Sequence, residues 1–309
     1  MNRPKLSSLM LVFLLAGLLA ACRQESTPTP TVFPDGPTAT ATLPPDAPTP
    51  TPAPPTPTPE PLKATINGEP LTLAEYEAEL GRFQAAQVEA GTNLATEEAA
   101  AWVLDNLIDS ILLSQAAREA GFVVDEVSVQ TRIDELAAEV GGAEVLADWM
   151  IANGYSEAQF RQALAREMAA AWMRDQIAAG AGETADQAHA RQILLYNSEQ
   201  AAEVLALLQS GQDFASLADD YDPVTGGDLG WFPRGYLPSS AIEEAAFSLQ
   251  PGQYSAVIES PAGFHIVQLI ERDPQHPLSA NARQVVQAQA VRNWLVERRN
   301  QSDIQVLQP

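Results

Sequence analysis

Few side chains in this chain of 309 residues could perform covalent or metal chemistry. Its three histidines are His189, His265 and His276, and no two of them have the spacing of zinc ligands within one helical turn. Its only cysteine, Cys22, lies near the start, so the remaining chain has no disulfide and no thiolate nucleophile. We therefore expect neither a metal centre nor a cofactor.

The charge of the chain excludes two kinds of partner. Its 40 acidic and 17 basic residues give a net charge of −23, and its only lysines are Lys5 and Lys63. Nucleic-acid binding needs a basic surface, and electrostatic adhesion to anionic lipids needs basic segments near the membrane. We expect no nucleic-acid partner and no attachment to a membrane through charge.

The start of the chain has the features of an export signal. An apolar run from Leu6 to Leu19 follows Arg3 and Lys5 and is too short to span a bilayer. It ends in Leu-Ala-Ala-Cys22, which resembles the lipobox of bacterial lipoprotein signal peptides. The resemblance implies removal of residues 1–21 and lipid attachment at Cys22, which would anchor the protein to the bacterial cell membrane. The alternative is an ordinary secretory signal with an unrelated cysteine.

Residues 22–61 have the composition of a stalk. They are mostly Thr, Pro, Ala and Ser, with fourteen prolines from Pro28 to Pro61. Such a segment lacks apolar side chains for a core and favours the extended polyproline II conformation. At about 3.1 Å per residue its reach would be on the order of 120 Å, enough to hold a folded domain clear of a membrane.

The remaining chain, of about 250 residues, is longer than one hydrophobic core usually serves, which predicts two domains. In the first part apolar residues recur at helical spacing, and capping-box sequences at Thr72–Glu75 and Ser156–Gln159 mark two helix starts. The predicted elements are a strand at Ala64–Asn67 and helices starting near Leu73 and covering Glu97–Ala120, Glu126–Val140, Ala143–Asn153 and Glu157–Ala178.

After a break at Gly180–Glu183 the hydrophobic period changes and predicts a compact α+β unit. Its predicted strands are Gln192–Leu195, Tyr254–Glu259 and Gly263–Arg272, and its predicted helices are Glu199–Gln209, Phe214–Asp219 and Ile242–Ser248. An amphipathic helix at Ala280–Asn300 and a strand-like segment at Ile304–Leu307 follow.

Five segments of this unit resemble the parvulin family of peptidyl-prolyl cis-trans isomerases. They are Ala190–Leu195, Asp213–Ala218, Gly226–Phe232, Ala245–Phe247 and Gly263–Val267, in the order of that family. The segment Ala64–Thr72, the helices after it and the closing helix resemble the chaperone domain of exported foldases of the PrsA and SurA type.

The resemblance implies an α+β fold with an inserted domain. A helical chaperone domain, residues 62–183 plus 278–309, would be completed by the C-terminal helix and strand, with Ile304–Leu307 pairing beside Ala64–Asn67. A parvulin domain, residues 186–273, would be inserted between the two parts and would have a small antiparallel sheet surrounded by helices.

The resemblance also implies a reaction that needs no covalent intermediate. Rotation about an X-Pro bond crosses a barrier of about 18–20 kcal/mol. The barrier falls when an apolar slot holds the proline ring and polar groups favour the twisted amide. By position, the slot would be lined by Leu229, Leu237 and Ile242, with Phe232 beside them. The alternative is that these residues are core, above all Phe232.

The polar residues depart from the family pattern. Active parvulins usually carry two histidines beneath the site; His265 matches the second, whereas Gln192 occupies the place of the first. Glutamine donates and accepts hydrogen bonds but cannot change its protonation state. Asp222, in a shortened loop, is the candidate for the family's acidic or cysteine side chain. His265 could alternatively be a structural core histidine.

These features predict a membrane-tethered extracytoplasmic peptidyl-prolyl isomerase and chaperone that assists the folding of exported proteins. The alternative is an inactive parvulin-fold holdase that only binds unfolded clients. A third possibility is a stalked cell-wall protein that uses the fold as a spacer. The expected partners are unfolded or proline-containing exported polypeptides. Phosphopeptides are not expected, because the segment from Tyr196 to Glu199 lacks the basic cluster of phosphate-directed parvulins.

Overall fold

The computed structural model describes residues 60–92 and 94–307. The predicted signal peptide, Cys22 and the predicted stalk up to residue 59 lie outside these residues. The strands are β1 (Leu62–Ile66), β2 (Glu69–Thr72), β3 (Thr184–Leu195), β4 (Asp228–Pro233), β5 (Ile258–Ser260), β6 (Gly263–Pro277) and β7 (Ile304–Val306). The helices are α1 (Leu73–Ala90), α2 (Thr96–Glu119), α3 (Glu126–Val140), α4 (Ala143–Ala152), α5 (Glu157–Ala179), α6 (Ser198–Gln209), α7 (Phe214–Tyr221), α8 (Ser240–Ser248) and α9 (Ala280–Asn300).

The chain divides into two compact units. The first comprises the described residues up to Leu107, Asp134–Phe160 and the residues from Ile304 onward. The second comprises Ile108–Ile133 and Arg161–Asp303. No helix among residues 60–92 and 94–307 is both long enough and apolar enough to cross a membrane.

The first unit contains a sheet that joins distant parts of the chain. Its strand order is β2-β1-β7, and β7 pairs antiparallel with β1, with Ala64 opposite Val306 and Ile66 opposite Ile304. Leu307 adds a bond by donating its N–H to the carbonyl of Lys63 at 2.9 Å. Ala64 and Ile66 are completely buried. The expected pairing of the C-terminal strand beside β1 is therefore confirmed.

Two helices of the chain begin at the predicted capping boxes. The N–H of Glu75 donates to the Thr72 hydroxyl at 3.1 Å at the start of α1. Before α5, the N–H of Ser156 donates to Gln159 Oε1 at 3.0 Å, and the N–H of Gln159 donates to Ser156 Oγ at 3.2 Å. Side chains thus satisfy backbone donors that have no partner within the helix.

In the second unit, ion pairs connect the C-terminal helix α9 to α2. Arg299 Nε donates to Asp109 Oδ1 at 2.6 Å, and Arg298 pairs with Glu119. A stacked pair formed by Phe122 and Trp172, with ring centroids 4.6 Å apart, adds apolar contact between the segment after α2 and α5.

The second unit also contains a four-stranded antiparallel sheet with the order β4-β3-β6-β5. One face packs against α6 and α7 in a cluster that includes Ile193, Leu195, Ile266 and Phe214. The other face packs against α8 in a second cluster of Ala188, Ala190, Phe232, Ile242, Ala246, Phe247, Val267 and Leu269. Because strand residues alternate between faces, these two clusters determine which side chains share a surface.

The strands of this sheet differ from the sequence-based expectation at three points, and in the first unit β2 forms where no strand was predicted. β3 begins at Thr184 instead of Gln192, and β6 continues to Pro277, because the two strands pair along this whole length. The predicted strand Tyr254–Glu259 is reduced to an isolated bridge at Tyr254 and to β5. There the Val267 N–H donates to the Ser255 hydroxyl at 3.0 Å, so a side chain interrupts the ladder.

Candidate active site

The candidate site is built on the two central strands of the second sheet. Gln192 follows Ala190 by two residues in β3, and His265 precedes Val267 by two residues in β6. Alternation along a strand therefore places Gln192 and His265 on the face that carries the α8 cluster. The structure thus brings together two of the residues predicted to form the polar part of the site.

A directed chain of hydrogen bonds connects these side chains. His265 Nδ1 lies 2.8 Å from Gln192 Oε1, and His265 Nε2 lies 2.7 Å from Ser260 Oγ. Since Gln192 Oε1 can only accept, the network assigns the proton to His265 Nδ1, and Nε2 accepts from the Ser260 hydroxyl. Ser260 Oγ in turn accepts from the Ala262 N–H at 3.1 Å.

Burial keeps the His265 imidazole of this hydrogen-bond network neutral. His265 is 3% exposed, and its pKa is lowered because burial disfavours the charged form. Ser260 was not identified from the sequence, and no pattern around it signals that its hydroxyl would bond to the histidine. The amide nitrogen of Gln192 has no hydrogen-bond partner among the residues that the structure describes.

A tight glycine turn attaches the start of β4 to β3 beside Gln192. Gly227 has a φ of +68°, and a Cβ atom there would lie 1.9 Å from the carbonyl oxygen of Gln192. The Gln192 N–H donates to the Gly227 carbonyl at 2.9 Å. At the preceding residue, Gly226, a Cβ atom would lie 2.7 Å from Asp219 Oδ1. At Gly227 the near atoms belong to the main chain, so only glycine combines this left-handed backbone with so close a contact.

Asp222 lines the same cavity as Gln192, and its carboxylate organises its own loop. Oδ1 accepts from the N–H groups of Val224 and Thr225 at 3.2 Å each, and the Thr225 hydroxyl donates to Oδ2. These bonds, led by that from the Thr225 side chain, lower the pKa of Asp222. Its carboxylate is therefore ionised at neutral pH, and its part in the reaction stays a prediction.

The four residues predicted to form the proline slot lie on or near the α8 cluster. Phe232 is 0% exposed and Ile242 is 7% exposed, whereas Leu229 and Leu237 are partly buried at the edge of the cluster. Phe232 therefore belongs to the core, as its alternative interpretation held, and cannot touch a substrate in this conformation. Leu229 and Leu237 have surface available for an apolar ligand.

A buried glutamate that the sequence analysis missed holds the loop that carries Leu237. Glu243 Oε1 accepts from the Gly235 N–H at 2.7 Å, and Oε2 accepts from the N–H groups of Tyr236 at 3.0 Å and Leu237 at 3.2 Å. The signal in the sequence was a charged residue within the apolar stripe Ile242, Ala246 and Phe247 of α8.

A cavity of about 250 Å³ opens next to Gln192. Its walls are formed by Gln192, Leu194, Leu195, Tyr196, Gln200, Tyr221, Asp222 and Gly227. The cavity lies where the end of β3, the start of α6 and the end of α7 meet. Gln192 and Asp222 therefore face one space, into which a peptide could extend from the site.

The other two histidines lie outside this network. His189 Nε2 is 2.9 Å from Asp228 Oδ1, and the His276 ring stacks on Trp231 with centroids 3.9 Å apart. Among the described residues, no group of three or more His, Cys, Asp or Glu side chains could hold a metal ion.

Comparison with known proteins identifies both parts of the chain. Residues 178–271 match the family model of the PPIC-type PPIASE domain, or rotamase, and residues 56–174 match that of the SurA-like N-terminal domain. A Chaperone SurA from Alcanivorax borkumensis is 28% identical over 231 residues, which cover 63% of this chain and 51% of that protein. A Foldase protein PrsA from Oceanobacillus iheyensis is 37% identical over 122 residues, which cover 38% of this chain and 40% of that protein.

The chain thus spans about half or less of the length of these two relatives. A crystal structure of the peptidylprolyl isomerase PrsA from Bacillus cereus aligns with 76% of this chain and 87% of that chain at 20% identity, with a TM-score of 0.42. The family matches confirm the resemblance found in the sequence. The chain therefore carries a parvulin-type PPIASE domain together with a SurA-like N-terminal domain, and it is a relative of the SurA chaperones and the PrsA foldases.

Proposed function

We propose that this protein is a membrane-tethered, extracytoplasmic peptidyl-prolyl isomerase and chaperone for exported polypeptides. The observation that carries the proposal is the hydrogen-bonded network from Ser260 through His265 to Gln192, which lies on the sheet face against which Leu229 and Leu237 pack. A polar donor and an apolar surface on one face of a rigid sheet are the two elements that X-Pro isomerisation requires.

Some of these side chains would contact the substrate, and others position the residues that do. The proline ring would lie on Leu229 and Leu237, with Ile242 and Phe232 supporting them from the core. The amide N–H of Gln192 would donate to the substrate amide, most strongly in its twisted state. His265 is buried, so it acts as a positioning residue: its Nδ1–H holds Gln192 Oε1 and thereby orients the amide nitrogen.

The organisation of the rest of the chain supports a chaperone function towards unfolded exported polypeptides. We assign residues 62–183 plus 278–309 to a chaperone domain and residues 186–273 to the isomerase domain. Lipid on Cys22 would anchor the protein, and the proline-rich residues 22–61 would hold both domains away from the membrane. Acyl chains contribute about 0.8 kcal/mol per buried CH₂, so several of them suffice without a transmembrane helix.

The tether is tested by expressing the protein in bacteria fed with labelled palmitate. The unaltered chain should carry the label and sediment with membranes. Cys22→Ser should lose the label and leave the membrane fraction. A label that persists in Cys22→Ser would contradict the assignment of Cys22.

Isomerase activity is tested by NMR exchange spectroscopy on Ala-Xaa-Pro-Phe peptides with the full-length protein. Uncatalysed exchange takes tens of seconds or more, so catalysis is readily seen. We expect catalysis, a large loss in His265→Ala, and little change in the matched control His276→Ala, whose ring lies outside the network. Equal activity in both variants would show that the network does not support the reaction.

The second candidate function is that of a holdase with an inactive parvulin fold. Gln192 in place of a histidine favours it, because glutamine cannot change its protonation state. Failure to catalyse exchange on any peptide, combined with suppression of the aggregation of an unfolded client, would establish this candidate and exclude the isomerase.

A further inference from the structure

The edge of β3 beyond Gln192 is open. Val267 and Leu269 of β6 bond to the segment at residues 253–255, on the side away from β3. In an antiparallel ladder the hydrogen-bonding direction alternates, so the odd-numbered residues of β3 bond to β6 and the even-numbered residues point away from it. Gln192 follows this pattern, since its N–H donates to Gly227.

Leu194 is the next residue with this orientation, and no strand lies opposite it in the described part of the chain. β4 begins only at Asp228, which pairs with Arg191. The main-chain N–H and C=O of Leu194 are therefore directed towards the cavity that Leu194 lines. An exposed main-chain pair of this kind can bind one residue of an extended peptide.

Two tyrosines and an acidic surface flank this edge. Tyr196 is 79% exposed and Tyr221 is 46% exposed, and both line the cavity. Asp222, also in its wall, is ionised. From Tyr196 to Thr225 the chain contains six acidic residues and no Lys, Arg or His; the six are Glu199, Glu203, Asp213, Asp219, Asp220 and Asp222.

We infer that this cavity is a subsite for a lysine or arginine immediately before the substrate proline, an inference that rests on the proposed function. The carbonyl of the reacting X-Pro bond belongs to residue X. When the proline ring lies on Leu229 and Leu237 and this carbonyl faces Gln192, residue X enters the cavity on the other side of Gln192.

The contacts available in the cavity suit a basic side chain. The N–H of residue X donates to the Leu194 carbonyl, which leaves the carbonyl of X to face Gln192. The aliphatic stem of X packs between the rings of Tyr196 and Tyr221. Its charged end lies near Asp222, and an aromatic ring also attracts a cation at its face. A glutamate at X would be repelled by Asp222, and a leucine would gain the ring contact alone. The basic side chain before this region, Arg191, interacts with Asp213 and Asp228.

The test measures binding separately from catalysis. Ala-Lys-Pro-Phe, Ala-Leu-Pro-Phe and Ala-Glu-Pro-Phe are titrated into the full-length protein while the backbone amide of Leu194 is followed by NMR. We expect the lysine peptide to shift this amide and to bind at least about twofold more tightly than the leucine peptide, the size typical of a solvent-exposed ion pair. The glutamate peptide should bind most weakly.

Two variants and one control locate the preference. Tyr196→Ala and Asp222→Asn should each reduce the ratio of lysine to leucine binding, whatever they do to the rate of isomerisation. Glu203→Gln removes a charge from α6 outside the cavity wall and should keep the ratio. The ratio is independent of folding yield, because both peptides meet the same protein sample.

The outcomes separate this inference from the proposed function. Selective binding of the lysine peptide at Leu194 without catalysis would support the subsite and exclude the isomerase. Catalysis without any preference at X, with the Leu194 amide unmoved, would overturn the subsite and leave the isomerase. An unaltered ratio in both Tyr196→Ala and Asp222→Asn would also overturn it.

Discussion

Replacing Gly227 by alanine should destabilise the second unit more than the same change at another left-handed glycine. Gly227 and Gly230 have nearly equal φ values, +68° and +67°. A Cβ atom at Gly230 has nothing within 4 Å, whereas one at Gly227 would lie 1.9 Å from the carbonyl oxygen of Gln192. Gly230→Ala is therefore a control that differs only in the close contact.

The magnitudes follow from two contributions. A left-handed backbone costs an L-residue about 1–2 kcal/mol, which both variants share. In Gly227→Ala the turn must also move away from β3, which breaks the bond from the Gln192 N–H to Gly227 and costs about 1 kcal/mol, with further strain from the overlap. We expect a loss of about 3 kcal/mol or more for Gly227→Ala and about 1–2 kcal/mol for Gly230→Ala.

Urea unfolding of the full-length protein, followed by tryptophan fluorescence, measures both losses, and equal slopes would show that the unfolding reaction is the same. The isomerisation rate provides a second readout, because the turn also sets the position of Gln192. A difference below about 0.5 kcal/mol between the two variants, the usual scatter of surface substitutions, would refute the close contact and with it our description of the turn.

Three further predictions concern the network and its support. Burial lowers the pKa of His265 below its unfolded value of about 6.5, so the unfolded state binds the proton more readily than the folded state. The free energy of unfolding should therefore decrease as the pH falls below about 6.5. In urea titrations, His265→Gln should weaken this pH dependence. Glu243→Gln should cost about 1–3 kcal/mol by leaving a buried N–H of the Gly235–Leu237 loop without an acceptor, whereas the exposed Glu244→Gln should be nearly neutral in the same assay. Gln192→His should raise kcat/KM in the NMR exchange assay, because it restores the missing histidine; equal or lower activity in a folded variant would contradict this.

The sequence allowed prediction of those parts of the site whose residues are constrained by backbone geometry or by a family motif. The glycine pair at Gly226 and Gly227, the position of His265 in a strand and the helices on both sides of the sheet belong to this class. Each depends on local chemistry: a left-handed turn, a strand alternation or a capping box.

The sequence could not predict features that arise from pairing with distant residues. The first eight of the twelve residues of β3, Thr184 to Arg191, include Ala and Asp, which have low strand propensity; this segment is extended because β6 pairs with it. Ser260 and Glu243 act through hydrogen bonds to groups whose position depends on the fold. The order of residues does not specify such partners.

The pairing of β1 with β7 has a consequence for the time at which the protein folds. The chain is synthesised from its N-terminus, so Leu62–Ile66 is made long before Ile304–Val306. Until then one edge of β1 has no partner, and an unpaired edge can bind any extended polypeptide. The sheet of the first unit therefore closes only after the intervening residues, which include the four-stranded sheet of the second unit, have been synthesised.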